Sequence, residues 1–167
     1  MSLGITIKTK PIIKPISISF NRLSGDDIDS IVLIEQQNSH NPWSKNQLIE
    51  SILNPANLCY SISIKNQIIG FLIAMPALDT ADILNISINK ACQGKGYGNK
   101  LLHYLTKELK DRMISQIMLE VRVSNQAAIA FYLKHGFEEI SLRKNYYMNN
   151  SKHPNQKEDG IIMRLKF

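Results

Sequence analysis

Three glycines fall within five residues in the stretch Gln93-Gly94-Lys95-Gly96-Tyr97-Gly98, between a strand-like and a helix-like segment. Glycine lets the backbone turn tightly and leaves no Cβ between chain and ligand. A helix that starts there presents unpaired N–H groups and the positive end of its dipole. Such a turn suits a pyrophosphate, with Lys95 adding a cation and Gln93 a neutral donor. A P-loop would need Gly-x-x-x-x-Gly-Lys-Ser/Thr, which is absent. A dinucleotide fingerprint would need a third glycine where Asn99 stands, and the strand before it reads as antiparallel. A turn that binds nothing is the remaining alternative.

Two further side chains could carry chemistry. Glu120 lies between apolar Leu119 and Val121 in a strand-like run, where a carboxylate is uncommon unless paired or functional. An ion pair with Arg122 or a neighbouring lysine is the plainer reading. Tyr132, between Phe131 and Leu133, is either a core tyrosine or a proton-donating hydroxyl. Cys92 adjoins the glycines but has no Cys–His signature of a nucleophile. His40, His103, His135 and His153 show no zinc-ligand spacing with the cysteines, so no metal is expected.

These residues must be positioned by recognisable elements. Ile16 to Phe20 alternates as a strand. Ser24, followed by Asp26, Asp27 and Asp29, starts a helix whose apolar face is Ile28, Ile31, Val32 and Ile34. Asn41-Pro42 ends it, and Ser44 caps a second helix with Leu48, Ile49 and Ile52 inward. Leu58 to Ile64, Ile68 to Ala77 and Ala81 to Ile88 read as an antiparallel meander, with Lys65-Asn66-Gln67 and Asp79-Thr80 as turns. A helix runs from Gly96 to about Met113 on Leu101, Leu102, Leu105 and Leu109. Ile117 to Val123 is a strand. Ser124 caps a helix over 125–134 that stops at His135-Gly136. Phe137 to Leu142 is a strand, 149–159 a polar loop, and Ile161 to Phe167 the last strand. The order β-α-α-β-β-β-α-β-α-β-β predicts an α+β (mixed α/β) fold. Its core is a central, mostly antiparallel mixed sheet flanked by helices.

The chain has 167 residues, 44% of them apolar and 20% charged, enough for one self-standing core and against wholesale disorder. The expected division is a tail or loose first strand over 1–14 and a single domain over 15–167. The longest nearly apolar run, Ile68 to Leu78, is shorter than the roughly 20 residues a membrane helix needs. Met1 to Pro15 lacks the apolar stretch of a secretory signal. Two cysteines make no disulfide framework, so a soluble cytoplasmic protein is expected. The net charge of +6 should attract anions, whether a nucleotide, a phosphate-bearing cofactor, RNA or an acidic protein. Solubility charge and a basic N-terminal tail account for it equally well.

Gln93-x-x-Gly96-x-Gly98 resembles the acetyl-CoA pyrophosphate loop of the GNAT superfamily of N-acetyltransferases. Leu119-Glu120-Val121-Arg122-Val123-Ser124-Asn125 through Phe131-Tyr132, then His135-Gly136-Phe137, is similar to its next strand and helix. Within it the likeness is closest to the RimI-type ribosomal-protein-alanine N-acetyltransferases. That likeness rests on Leu119 to Arg122, Asn145-Tyr146-Tyr147, Glu158-Asp159 before Ile161-Ile162-Met163, and Pro42-Trp43-Ser44. It covers roughly Ile16 to Leu165.

The resemblance implies a GNAT-type acyl-CoA N-acyltransferase fold with acetyl-CoA as co-substrate. It implies direct acetyl transfer to a protein N-terminus, the alanine of a small-subunit ribosomal protein. Glu120 would be the general base and Tyr132 the general acid. The cofactor would lie on the backbone of Ile86, Ser87 and Ile88, which splay from the neighbouring strand. It would also meet Gln93, Gly94, Lys95, Gly96, Tyr97, Gly98, Asn99 and Asn125, the last of which is otherwise a helix cap. Trp43, Tyr146 and Tyr147 would wall the acceptor site, or simply pack the core. Glu158 and Asp159 would draw a basic peptide, or only solvate a loop. A monomer with no membrane or direct nucleic-acid contact is expected. Two alternatives remain, an acetyltransferase for a small-molecule amine and a non-catalytic CoA or RNA binding module.

Overall fold

Strict alternation of side chains on β2 (Leu58–Ile64) and β3 (Gln67–Ala77) sends apolar groups to both faces of the sheet. Tyr60, Ile62, Leu72 and Ala74 point one way, and Cys59, Phe71 and Ile73 the other. A sheet with two apolar faces needs cover on both. In the computed structural model, which describes residues 17–39, 41–148 and 157–167, four helices supply that cover. On one face α1 (Ile28–Asn38) and α2 (Lys45–Leu53) bury Ile28, Ile31, Ile34 and Leu48. On the other, α3 (Tyr97–Asp111) buries Leu101, Leu102, Leu105 and Leu109, and α4 (Gln126–Lys134) buries Ile129 and Tyr132.

The remaining strands are β1 (Ile18–Arg22), β4 (Thr80–Ile88), β5 (Gln116–Arg122), β6 (Glu138–Met148) and β7 (Lys157–Lys166). The sheet order is β1-β2-β3-β4-β5-β7-β6. Every neighbouring pair is antiparallel except β4–β5, because α3 crosses over between those two strands. The fold is therefore the mixed α/β arrangement that the sequence predicts. Local chemistry explains the boundaries. Lys65 and Asn66 both have positive φ, 50° and 66°, the two-residue turn that fits strand twist. Ser44 and Gln47 form a reciprocal capping box at the start of α2, with Ser44 N–H donating to Gln47 Oε1 at 2.9 Å.

Three expectations need correction. β6 runs on to Met148 rather than stopping at Leu142, and β7 starts at Lys157 rather than Ile161. The polar ends of these strands pair with each other, Tyr147 with Glu158 and Met148 with Lys157, so hydrogen bonds replace apolar burial there. The cap of α4 is Asn125, whose Oδ1 accepts the Ala128 N–H at 3.2 Å. Ser124 instead donates its backbone N–H to Glu158. The tail over 1–14 and nearly all of the 149–159 loop, up to residue 156, lie outside the described residues, as do His40 and His153.

Candidate active site

The parallel β4–β5 ladder pairs Thr80 with Gln116 and ends where Ile83 meets Leu119. β4 continues to Ile88 and β5 to Arg122 without pairing to one another, so the two strands part. The edge of β4 over 84–88 that faces β5 is therefore free of ladder bonds, and this is the predicted splay. A cavity of about 430 Å³ opens at the fork, lined by Asp82, Leu84, Met118, Glu120, Arg143, Tyr146 and Tyr147 among others.

Glu120 projects to one face of β5 while Leu119 and Val121 project to the other, into the α3–α4 core that also holds Tyr132. The predicted base and acid thus sit on opposite sides of the sheet, with the fork between them. Among the described residues Glu120 Oε2 pairs with Arg143 Nη1 at 3.0 Å rather than with Arg122 or a lysine. Arg143 is half exposed, so that ion pair is weak and leaves the carboxylate open to a ligand. Arg143 and the tyrosines arrive together because β6 is irregular between Arg143 and Tyr147. Asn145 sits there at φ 53° and donates its N–H to Asp159 Oδ1 at 2.7 Å.

Charge around the cavity is held by its frame. Burial first, then the Glu120 charge, pushes the Tyr147 phenol above the tyrosine range, while Arg122, 4.1 Å from the ring centroid, works against them. Tyr147 is therefore a neutral donor beside Glu120. Burial opposes ionisation of Glu158, but Ser124 and Arg122 overcome it and hold that carboxyl below the usual range. The two acids do not solvate a loop or stand free for a peptide. Glu158 pins the β5–α4 turn, and Asp159 pins β6.

A depressed folded pKa stabilises above the unfolded pKa and is lost as pH falls through the folded value. Glu158→Gln should accordingly flatten the fall in stability below about pH 4.3, the ordinary Glu pKa. Urea melts at pH 7 and in that acid range measure it.

Gly160 is paired with Arg122 across the sheet and leaves room for the same groups. An added Cβ would lie 3.1 Å from the Tyr147 ring and 3.2 Å from Glu120 Oε1. Gly160→Val should move both, and a displacement near 1 Å at a reacting group can cost roughly 100-fold. An initial-rate assay should show a loss of about tenfold or more, with the fold retained by circular dichroism.

The glycine turn precedes α3 as predicted. Gly94 and Gly96 have φ of 73° and 80°, and a Cβ on either would meet nothing within 4 Å. The turn is thus open, and left-handed φ rather than crowding calls for glycine there. The first intrahelical bond is Lys100 N–H to Gly96 O. Among the described residues the N–H groups of 94–99 have no partner. Tyr97 is half buried against the core, and Asn99 is exposed. Gly98 approaches the Phe131 ring, where a Cβ would lie 3.5 Å away, which brings α4 up to the turn.

Some predicted ligands are engaged elsewhere. Gln93 Nε2 donates to Asn38 Oδ1 and Ile88 O, and its backbone N–H to Lys90 O. Lys95 Nζ donates to Ala91 O. Asn125 Oδ1 is occupied as a cap. Ser87 turns its hydroxyl into the protein, so only its backbone is free to meet a ligand. Trp43 packs between α1 and α2 in the second core, away from the cavity lining. Cys92 packs against the first core, also away from the cavity.

A free strand edge, an open glycine turn with unpaired donors, and a cavity holding a carboxylate describe a two-substrate site. The sequence model of the acetyltransferase (GNAT) family matches residues 26–137. The chain belongs to that family. GNAT acetyltransferases use acetyl-CoA, and the residues present fit it. Donors at 94–99 suit the diphosphate, and the β4 edge suits the pantetheine amides.

The chain is 34% identical to the [ribosomal protein bS18]-alanine N-acetyltransferase of Escherichia coli, over 88% of this chain and 96% of the relative. It is 37% identical to the enzyme of that name from Haemophilus influenzae, over 86% and 94%. The crystal structure of the Escherichia coli ribosomal-protein-S18-alanine N-acetyltransferase superposes with a TM-score of 0.81, at 33% identity over 90% of this GNAT chain and 94% of that one. Among the described residues no helix is long and apolar enough to cross a membrane. None of their His, Cys, Asp and Glu side chains form a group of three or more able to hold a metal.

Sequence reasoning missed Arg143, Gly160 and Glu35. Arg143 reaches Glu120 only through the β6–β7 register. Glu35 carried a readable signal, for it falls on the apolar stripe of Ile28, Ile31 and Val32 at helical spacing, where a carboxylate is out of place.

Proposed function

We propose that this chain transfers the acetyl group of acetyl-CoA to the N-terminal α-amino group of a protein, the N-terminal alanine of a small-subunit ribosomal protein. The observation that carries the reading is the carboxylate of Glu120 in an open cavity at the fork of β4 and β5. The names of the relatives support the acceptor. A small-amine acceptor and a passive CoA or RNA binder lack comparable support.

Acetyl-CoA supplies an acetyl thioester, which an uncharged amine can attack. A free α-amino group has a pKa near 8, so most of it is protonated at pH 7. Glu120, directly or through water, takes the proton that the amine must lose. Tyr147 and Arg143 fix the orientation of that carboxylate. The free N–H groups of β4 face the fork and can donate to a developing oxyanion.

Tyr132 waits on the other side of the fork. Burial pushes its phenol well above the tyrosine range, so it is protonated at every working pH. It donates a hydrogen bond to the departing sulfur. A proton passed to that sulfur gives the coenzyme A thiol and a phenolate, which regains a proton from solvent at the fork.

The direct test incubates the protein with acetyl-CoA and peptides beginning Ala, Ser, Met or Gly, and reads acetylation by mass. Acetyl transfer to the α-amine of the Ala peptide, ahead of the others, is the expected result. Transfer to small amines with none to any peptide would overturn the reading.

A further inference from the structure

Glu35 is a carboxylate only 3% exposed, and among the described residues no cation pairs with it. Three neutral donors hold it instead. Trp43 N–H reaches Oε1 at 3.1 Å, and Asn85 Nδ2 and the Ser87 hydroxyl both reach Oε2 at 3.1 Å. A buried charge costs several kcal/mol unless its lone pairs are filled, so such a group persists where its geometry matters. The donors come from two places. Trp43 belongs to the α1–α2 connection, and Asn85 and Ser87 belong to the part of β4 beyond the last β5 partner.

The next residues of α1 extend the same attachment. Asn38 Nδ2 donates to Ile88 O at 2.9 Å, and Asn38 Oδ1 accepts from Gln93. Gln37 Oε1 accepts the Lys90 N–H. The last turn of α1 is therefore bonded to β4 from 85 to 88 and on to the glycine turn.

We propose that Glu35 is a positioning residue for acyl transfer, holding the 85–88 segment of β4 against α1 so that its other edge stays apart from β5 and open to the pantetheine. The inference rests on the acetyl-transfer reading above. Glu35 touches neither substrate; it acts through the backbone that its bonded side chains carry.

The test uses the full chain with Glu35→Gln and, separately, Ser87→Ala. An amide offers one acceptor oxygen to three donors, whereas the serine change removes one donor and leaves the carboxylate bonded to the other two. Coenzyme A binding by calorimetry, KM for acetyl-CoA, kcat and melting temperature are measured on each. Loss of one hydrogen bond to a charged group corresponds to roughly a tenfold change in affinity.

The expected result is a coenzyme A Kd and an acetyl-CoA KM raised together, about tenfold in Ser87→Ala and more in Glu35→Gln. kcat at saturation should change little in either. A role in stability alone would lower the melting temperature and leave Kd and KM unmoved, and that result in either variant overturns the inference. Wild-type protein that binds no coenzyme A would overturn the acetyl-transfer reading as well, so the two failures are distinct.

Discussion

Replacing Glu120 by glutamine should lower kcat/KM for an alanine-terminated peptide by about 10²–10⁴-fold, the range a positioned general base contributes. The substitution keeps the shape of the side chain and removes only its charge and basicity. Its ion pair to half-exposed Arg143 is worth less than about 1 kcal/mol, so the fold should be undisturbed. Coenzyme A affinity should hold, because the proposed phosphate and pantetheine contacts are on the glycine turn and on β4. The residual rate should climb with pH through the amine pKa near 8, since only solvent then deprotonates the acceptor. Initial rates from pH 6 to 9 with binding measured in parallel check each point. A Gln variant with wild-type kcat/KM would remove Glu120 from the mechanism.

Tyr132→Phe should lower kcat by roughly 100-fold, the lower end of what a positioned acid contributes, with little change in stability. The stability half follows from the packing. The ring sits against Phe131 and Phe137, with centroids 5.3 and 5.2 Å away, and phenylalanine preserves both contacts. The hydroxyl makes no hydrogen bond among the described residues, so its loss orphans nothing. A core tyrosine would make the variant slightly more stable and equally active. Melting temperature and single-turnover rate together separate the two roles. Equal rates would reduce Tyr132 to packing.

The helices and the meander were legible because their signals are local. Ser44 announces a helix start, Lys65-Asn66-Gln67 announces a hairpin, and Leu101 to Leu109 repeats at helical spacing. The end of the sheet was not legible for a related reason. β6 is an edge strand exposed over most of its length, and its far half is polar. Without an apolar alternation, Tyr147 pairing Glu158 leaves no trace in the sequence.

The site divides in the same way. The glycine turn is contiguous and could be read directly. Glu120 stood out as an acid among apolar neighbours. Its partner Arg143 is 23 positions away, joined by sheet register and a bulge at Asn145 that no spacing rule foretells. Trp43 and Gln93 carry the right chemistry for ligands yet serve the frame, because helix packing and the α1–β4 attachment reach them first.

The central claim is that backbone amides at the start of α3, together with the free edge of β4, hold coenzyme A beside Glu120. Titration of isotope-labelled protein with coenzyme A, followed by amide resonances, tests it most directly. The account predicts large shifts at Gly94 to Asn99 and at Ile86 to Ile88, with small ones on α2 and β1. It also predicts a melting temperature that rises with ligand concentration. Resonances at 94–99 and 86–88 that stay in place under saturating coenzyme A, with an unchanged melting temperature, would contradict it.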